Sequence, residues 1–519
     1  MELETFLHNL HFDIDKVSPP DWEVNWEDAP LPYKLYRGLP VFPLSLEVPL
    51  TLEECDVPKQ PTLQRISHFL WYTFGQTQIS QSPSSPNQES ELIQSYRRYA
   101  PSGGALYPSE LYVYLKLEEL PVGVYHYDVA HHRLVCLREG NFDSYIARAL
   151  GHRCDLSACF GTVFVSTMFW KNFFKYNNFS YRLQGLDTGV VTGQLLEVAK
   201  RFGFDSSVYF QYLDRAVNHL LGLNDEEESV YAVIPLTVEP MIWSMGRKGV
   251  ISDTELCHEL EPIQNHHYVQ SQRTKPFPMI KKMNEASMLK STQSFGHIKA
   301  RESVNGESRV VPLPRMERLS YDLASVCKKR FSPDMDFRIG KVSKEQLATL
   351  LQEATSANLY RNDLDEANQK QESRVSLYVC LNNVEGIPDG AYHYDSAAHA
   401  LREIELGDHR LLLQAGLSAE NVNLYQVPFC FHVIGDKNHL APDLKFRGYR
   451  IQQMEAGMLV QRLLLVASAL ELGGHPLLGF DAKLCDELYK LETQGKTSLI
   501  QIPIGPYQPR AWLKGSLRC

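Results

Sequence analysis

The residues best placed to do chemistry form the run Arg97-Arg98-Tyr99-Ala100-Pro101-Ser102-Gly103-Gly104-Ala105-Leu106-Tyr107-Pro108. It leads through Ser109 into Glu110-Leu111-Tyr112-Val113-Tyr114-Leu115, which reads as a strand. Two arginines, a serine and paired glycines ahead of a strand suit a turn whose backbone can approach a flat or phosphorylated ligand. An ordinary Pro-Ser-Gly-Gly surface turn fits the same letters. Two further pairs, His126 with His131 and Cys154 with Cys159, have spacings that zinc ligands use. No Cys-x-x-Cys occurs among the ten cysteines, and the Tyr-His-Tyr segment around His126 recurs downstream without a matching cysteine pair. No metal is expected, and the cysteines read as free, mostly buried thiols of a reducing compartment.

The elements that must position these residues come in two sets. Pro121-Val122-Gly123-Val124-Tyr125-His126-Tyr127-Asp128, followed by His132, reappears as Pro388-Asp389-Gly390-Ala391-Tyr392-His393-Tyr394-Asp395, followed by His399, at an offset of 267. Tyr181-Arg182 with Gly189 is answered by Tyr449-Arg450 with Gly457, at an offset of 268. Leu186, Val190, Leu195, Leu196 and Ala199 recur with helical spacing in the first set, as do Met454, Met458, Leu459, Leu463 and Ala467 in the second. Matching order, spacing and element type predict two copies of one α+β domain, joined as an intrachain pseudo-dimer. Glycine inside a helix costs about 1 kcal/mol against alanine, so Gly189 and Gly457 invite a packing explanation such as close helix approach.

A length of 519 residues allows roughly three domains. The formal charge of -10 disfavours nucleic-acid binding. No apolar run of about 18 residues appears, so no membrane span is expected. The start, Met1-Glu2-Leu3-Glu4, lacks signal-peptide features, and a cytoplasmic location is expected. The chain divides into an extended N-terminal arm (1–60), a first domain (61–245), a polar linker read as a solvated connector (246–315) and a diverged second domain (316–519). Thr62 is a candidate N-cap for a helix carrying Leu63, Ile66, Leu70 and Trp71, and residues 77–90 read as a polar loop. The second copy opens with a predicted helix through Met316, Leu319, Leu323 and Val326. Ser343 then caps another helix, with Gln346 at its third position.

At this point the residues resemble a known family. Arg330-Phe331-Ser332, ahead of the Ser343-capped helix, is similar to the start of FMN-dependent nitroreductase-fold domains, where an Arg-x-Ser element grips the FMN phosphate. The Pro101–Pro108 run, with Gly123-Val124-Tyr125-His126-Tyr127-Asp128 after it, resembles the SagB/ThcOx branch. Members of that branch oxidise thiazolines and oxazolines to azoles in ribosomally made peptides. Pro32-Tyr33-Lys34-Leu35-Tyr36 resembles segments that precede the domain. The branch's catalytic signature is an adjacent Lys-Tyr pair six residues ahead of a Tyr-Arg, and Lys175-Tyr176 precedes Tyr181-Arg182 at that spacing. Such chemistry removes a ring-carbon proton while hydride leaves to the flavin. Whichever of Lys175 and Tyr176 is the base needs its pKa lowered from about 10.

The resemblance implies a nitroreductase-like fold, FMN as cofactor and a composite site. The first copy would give Pro101, Ser102, Gly103, Gly104, Lys175 and Tyr176; the second would give Arg330, Ser332 and Arg510. On this assignment Arg97 and Arg98 lose the phosphate role. The second copy has Lys445-Phe446 in place of the pair, four residues ahead of Tyr449, and no Pro-Ser-Gly-Gly in residues 366–376. In the first copy Arg65-Ile66-Ser67 falls inside the predicted helix, so its match to Arg-x-Ser reads as chance. One FMN per chain follows. Phe173, Phe174 and Phe179 either line a peptide groove or pack their loop onto the body. A peptide or small-molecule substrate, a partner cyclodehydratase and further homo-oligomerisation are the implied associations. Two other readings remain: an NAD(P)H-dependent nitro- or quinone-reductase of small molecules, and a noncatalytic binding protein whose flavin site has decayed. No Gly-x-Gly-x-x-Gly precedes a helix, so a separate Rossmann domain is not expected.

Overall fold

A computed structural model describes residues 1–53, 60–83, 92–241, 249–298, 309–356, 360–365, 373–509 and 513–516. Two buried 23-residue helices, Ser180–Phe202 and Arg447–Ala469, pack against each other at the centre. Their contact is backbone on backbone. A Cβ on Gly189 would lie 2.0 Å from the Met454 carbonyl oxygen, and one on Gly457 would lie 2.2 Å from that of Leu186. The residues matched by the repeat also meet across this seam. Tyr181 stacks on Tyr449 with ring centroids 5.6 Å apart, and Gln461 Nε2 donates to Gln194 Oε1 at 2.7 Å.

Each helix belongs to a seven-stranded antiparallel sheet. The first sheet runs, neighbour to neighbour, Val41–Pro43, Arg133–Glu139, Gly123–Asp128, Ser109–Leu115, Gly161–Met168, Glu228–Thr237, Asp205–Ser206. The second runs Val310–Pro312, Ala400–Leu406, Gly390–Asp395, Ser376–Leu381, Phe429–Asp436, Lys496–Gly505, Gly473–Gly474, in the same topological order. Register repeats as well, with Tyr112 opposite His126 and Tyr378 opposite His393. The fold is therefore α+β and duplicated, two like halves in one pseudo-dimer. Among the described residues no helix is long and apolar enough to cross a membrane.

Local expectations fared unevenly. Thr62 does cap the helix Leu63–Phe74, accepting from the Arg65 N–H, and Arg65-Ile66-Ser67 lies inside it. Ser343 and Gln346 form a reciprocal capping box at 3.1 Å each way. The expected polar loop at 77–90 is instead partly a strand, Gln76–Pro83, paired with Leu92–Arg98 on one side and Leu513–Ser516 on the other. The helix expected from Met316 begins only at Leu323. Ahead of it, side chains of the neighbouring helix capture the backbone: Met316 N–H donates to Gln352 Oε1 and Leu319 N–H to Glu353 Oε1.

The connector is packed, not merely solvated. Its helix Pro278–Ser287 buries Ile280 and Met283, and Tyr36 of the arm bridges to His267. Among its described residues the arm carries one α-helix, Leu3–Phe12, and it buries Lys34 between Glu228 (2.7 Å) and Tyr112 (3.0 Å).

Candidate active site

The Pro101–Pro108 turn is moored to the first central helix. Ser102 Oγ accepts the Tyr107 N–H at 3.0 Å and donates to Asp187 Oδ2 at 2.6 Å, while the Gly103 N–H donates to Asp187 Oδ1 at 3.1 Å. Gly104 sits at φ +63°, where side chains are disfavoured, and a Cβ there would lie 2.5 Å from Tyr176 Oη and 3.1 Å from Lys175 Nζ. The glycine turn and the Lys-Tyr pair therefore meet. Pro101 and Ser102 are half-buried, and Gly104 is exposed.

Lys175 and Tyr176 end the helix Phe169–Tyr176, which anchors itself through Phe173 and Phe174. Both phenylalanines are buried: Trp22 packs edge-on to Phe173 at 5.3 Å and Trp26 to Phe174 at 5.4 Å. They pack the body; Phe179 is half-buried. Lys175 Nζ lies 4.9 Å from the centroid of the Tyr176 ring and 5.7 Å from that of Trp26. Burial lowers the Lys175 pKa, whereas burial and then the Asp187 charge push Tyr176 up to about 12. Of the two, Lys175 is the group whose environment favours a neutral, proton-accepting form.

Sequence reasoning missed Asp187. Burial raises its carboxyl to about 6 against the hydrogen bonds from Ser102 and Gly103 that favour the anion. Nothing in a polar residue within a helix signals this; only the fold brings it under the turn.

Arg97, set aside above, lies within electrostatic range of Arg330. Arg330 follows the helix Leu323–Lys329 and is 5% exposed, and burial, then the Arg97 charge, lowers its pKa. Among the described residues, Arg97 Nη2 and Arg330 Nε are buried without hydrogen-bond partners, and no carboxylate is among the charges acting on either. Two unneutralised guanidiniums, one from each copy, with Tyr107 of the turn beside both, are a donor set suited to a phosphate. FMN would be held here at its phosphate by Arg97 and Arg330, and along its ring by the Ser102–Gly104 backbone. Ser332, half-buried, lies two residues beyond Arg330. Arg510 lies outside the described residues.

Glu455, one offset of 268 from Asp187, takes Arg374 Nε at 2.9 Å and Tyr360 Oη at 2.8 Å. Arg374 also pairs with Asp365. The carboxyl of the second central helix is thus held in an ion-pair cluster, whereas Asp187 holds the Ser102–Gly103 turn. The histidine considered for zinc is instead locked into a buried network: His126 Nε2 lies 2.9 Å from Glu110, which also takes Lys171, itself bonded to the Tyr107 carbonyl oxygen at 3.2 Å. Among the described residues no group of three or more His, Cys, Asp or Glu is arranged to hold a metal.

Comparison with known proteins agrees with the duplicated fold. A crystal structure assigned as a nitroreductase, from Anabaena variabilis ATCC 29413, superposes with a TM-score of 0.72 over 98% of this chain and 99% of its own, at 20% identity. The E. coli microcin synthetase McbBCD complex with truncated pro-MccB17 bound matches 43% of this chain and 80% of its own at 23% identity, with a TM-score of 0.29. The trifolitoxin-processing protein TfxB of Rhizobium leguminosarum bv. trifolii is 33% identical over 142 residues, 26% of this chain and 37% of that relative's length. The Nitroreductase family model matches residues 58–236 and again 330–505, one match per copy. With both halves matched and one sheet order repeated in each, this chain belongs to the nitroreductase family.

Proposed function

We propose that the chain is an FMN-dependent dehydrogenase of SagB type that oxidises azoline rings to azoles in a ribosomally made peptide. The observation that carries the reading is the meeting of Lys175 and Tyr176 with the Gly104 backbone, in a site whose phosphate end, Arg97 and Arg330, comes from both copies. Bound FMN would supply a two-electron acceptor that oxygen returns to its oxidised form. Lys175 as neutral amine takes the ring-carbon proton, and the hydride leaves the same ring with its electron pair, so two hydrogens are lost. Tyr176, held protonated by its raised pKa, donates a hydrogen bond that orients the ring beside the lysine. Residues 61–245 and 316–519 act as the two domains, with 1–60 as arm and 246–315 as connector. A cytoplasmic cyclodehydratase would supply the azoline. The relative named for trifolitoxin processing supports a role in product maturation.

The test is incubation with a synthetic peptide carrying one thiazoline, followed by mass spectrometry for loss of two hydrogens. Lys175→Ala is expected to lower turnover about a thousandfold and Tyr176→Phe about tenfold or more, with flavin still bound. Unchanged turnover in Lys175→Ala, or NAD(P)H-driven nitroarene reduction with no azoline oxidation, rejects the reading.

A further inference from the structure

We propose that Trp26 is the substrate platform of this site, an arm residue whose indole receives the flat azoline-bearing segment of the peptide beside Lys175. The inference rests on the azoline-oxidation reading and adds to it where the ring is gripped.

Trp26 is 59% exposed, the only tryptophan among the exposed large hydrophobic residues described. The Trp26 indole touches Phe174 yet stays largely in water; the neighbouring Trp22 is packed on Phe173 and covered by Lys275, whose Nζ is 4.2 Å from its ring centroid. Yet the loop that presents Trp26 is held with unusual care. The Asp28 carboxylate accepts the backbone N–H groups of Gln272 at 2.7 Å and Arg273 at 2.8 Å. Ser271 Oγ donates to the Asp28 carbonyl oxygen at 2.7 Å, Gln270 Nε2 donates to that of Ala29 at 3.0 Å, and Trp170 Nε1 donates to Ser271 Oγ at 3.0 Å. The connector thus clamps the arm, and the arm holds the indole edge-on against Phe174, at an interplanar angle of 79°.

Direction supplies the remaining argument. The ring that is clamped in place is the ring next to Lys175 Nζ, at 5.7 Å from its centroid. That amine lies over the indole, so a five-membered ring seated against the indole would lie within its reach. The ligand class is a flat ring within a peptide, and rigid aromatic area is the cheapest way to hold one.

The experiment measures steady-state oxidation of the synthetic thiazoline peptide by the full chain with FMN, in the wild type, Trp26→Ala and Trp26→Phe. Equilibrium binding of the fluorescently labelled peptide to Lys175→Ala and to Lys175→Ala/Trp26→Ala is measured in parallel by anisotropy. Trp26→Ala is expected to raise KM about tenfold with kcat within about twofold, to weaken binding by a similar factor, and to be largely rescued by Trp26→Phe. A normal KM, or a lowered kcat with normal KM and binding, overturns the proposal; the latter would make Trp26 only a shield for Lys175. Absence of any turnover by the wild type rejects the azoline reading and this proposal together, whereas turnover insensitive to Trp26 rejects this proposal alone.

Discussion

Asp187 is a carboxyl buried with a hydroxyl and an N–H for company and no cation bonded to it, and the pH behaviour of the protein should carry its mark. Burial raises its pKa from 3.8 to about 6, so the folded chain binds this proton more tightly than the unfolded chain does. That contribution to stability is complete below the unfolded pKa and is lost as pH rises through about 6. The shift corresponds to roughly 3 kcal/mol. Denaturation of wild type and Asp187→Asn across this range should show the wild type losing ground to the variant by up to that amount; a difference independent of pH would refute the assignment. Arg97 and Arg330 give a second expectation at this scale. Either one changed to Ala should weaken FMN binding about ten- to a hundredfold, while riboflavin, which lacks the phosphate, binds equally to all three proteins. Isothermal titration with both flavins decides it. Arg330 stood out in the sequence because the Arg-x-Ser element is contiguous. Arg97 and Asp187 were not, because each acquires meaning from a group on another element: Arg330 in the other copy, and the Ser102 turn.

Elements were legible where the signal is local. The Ser343–Gln346 box is written in four residues, and Gly189 and Gly457 announce a helix contact because nothing else excuses a glycine there. What escaped was long-range. Gln76–Pro83 has the polar composition of a loop and becomes a strand because Leu92–Arg98 and Leu513–Ser516 pair with it. Residues from Met316 to Leu319 have helical periodicity, yet Gln352 and Glu353 take N–H groups that a helix would use. The central seam offers a quantitative test. Gly189→Ala would place a Cβ 2.0 Å from backbone that cannot yield, and should destabilise the chain by about 3 kcal/mol or more. Gly249→Ala, with nothing within 4 Å, should change stability by no more than about 0.5 kcal/mol. Urea denaturation of both compares the two directly.

Over the whole molecule, the asymmetry between the copies matters more than their likeness. The sheet order is repeated, yet Asp187 holds the Ser102–Gly103 turn while Glu455, its match, is ion-paired with Arg374. One FMN per chain is the expected stoichiometry, measured as flavin absorbance against protein concentration, and two tightly held flavins would sink it. The seam that joins the copies has a further consequence. A site built from two separate subunits exists only while they find each other, so its activity per chain falls on dilution, and any change that suits one half is forced upon the other. Here both halves travel on a single strand of protein, and the encounter is replaced by a fixed local concentration. With FMN kept in excess, specific activity should therefore hold down to the lowest protein levels that can be assayed, and the second copy, whose sequence lacks the Pro-Ser-Gly-Gly, is free to drift toward other work.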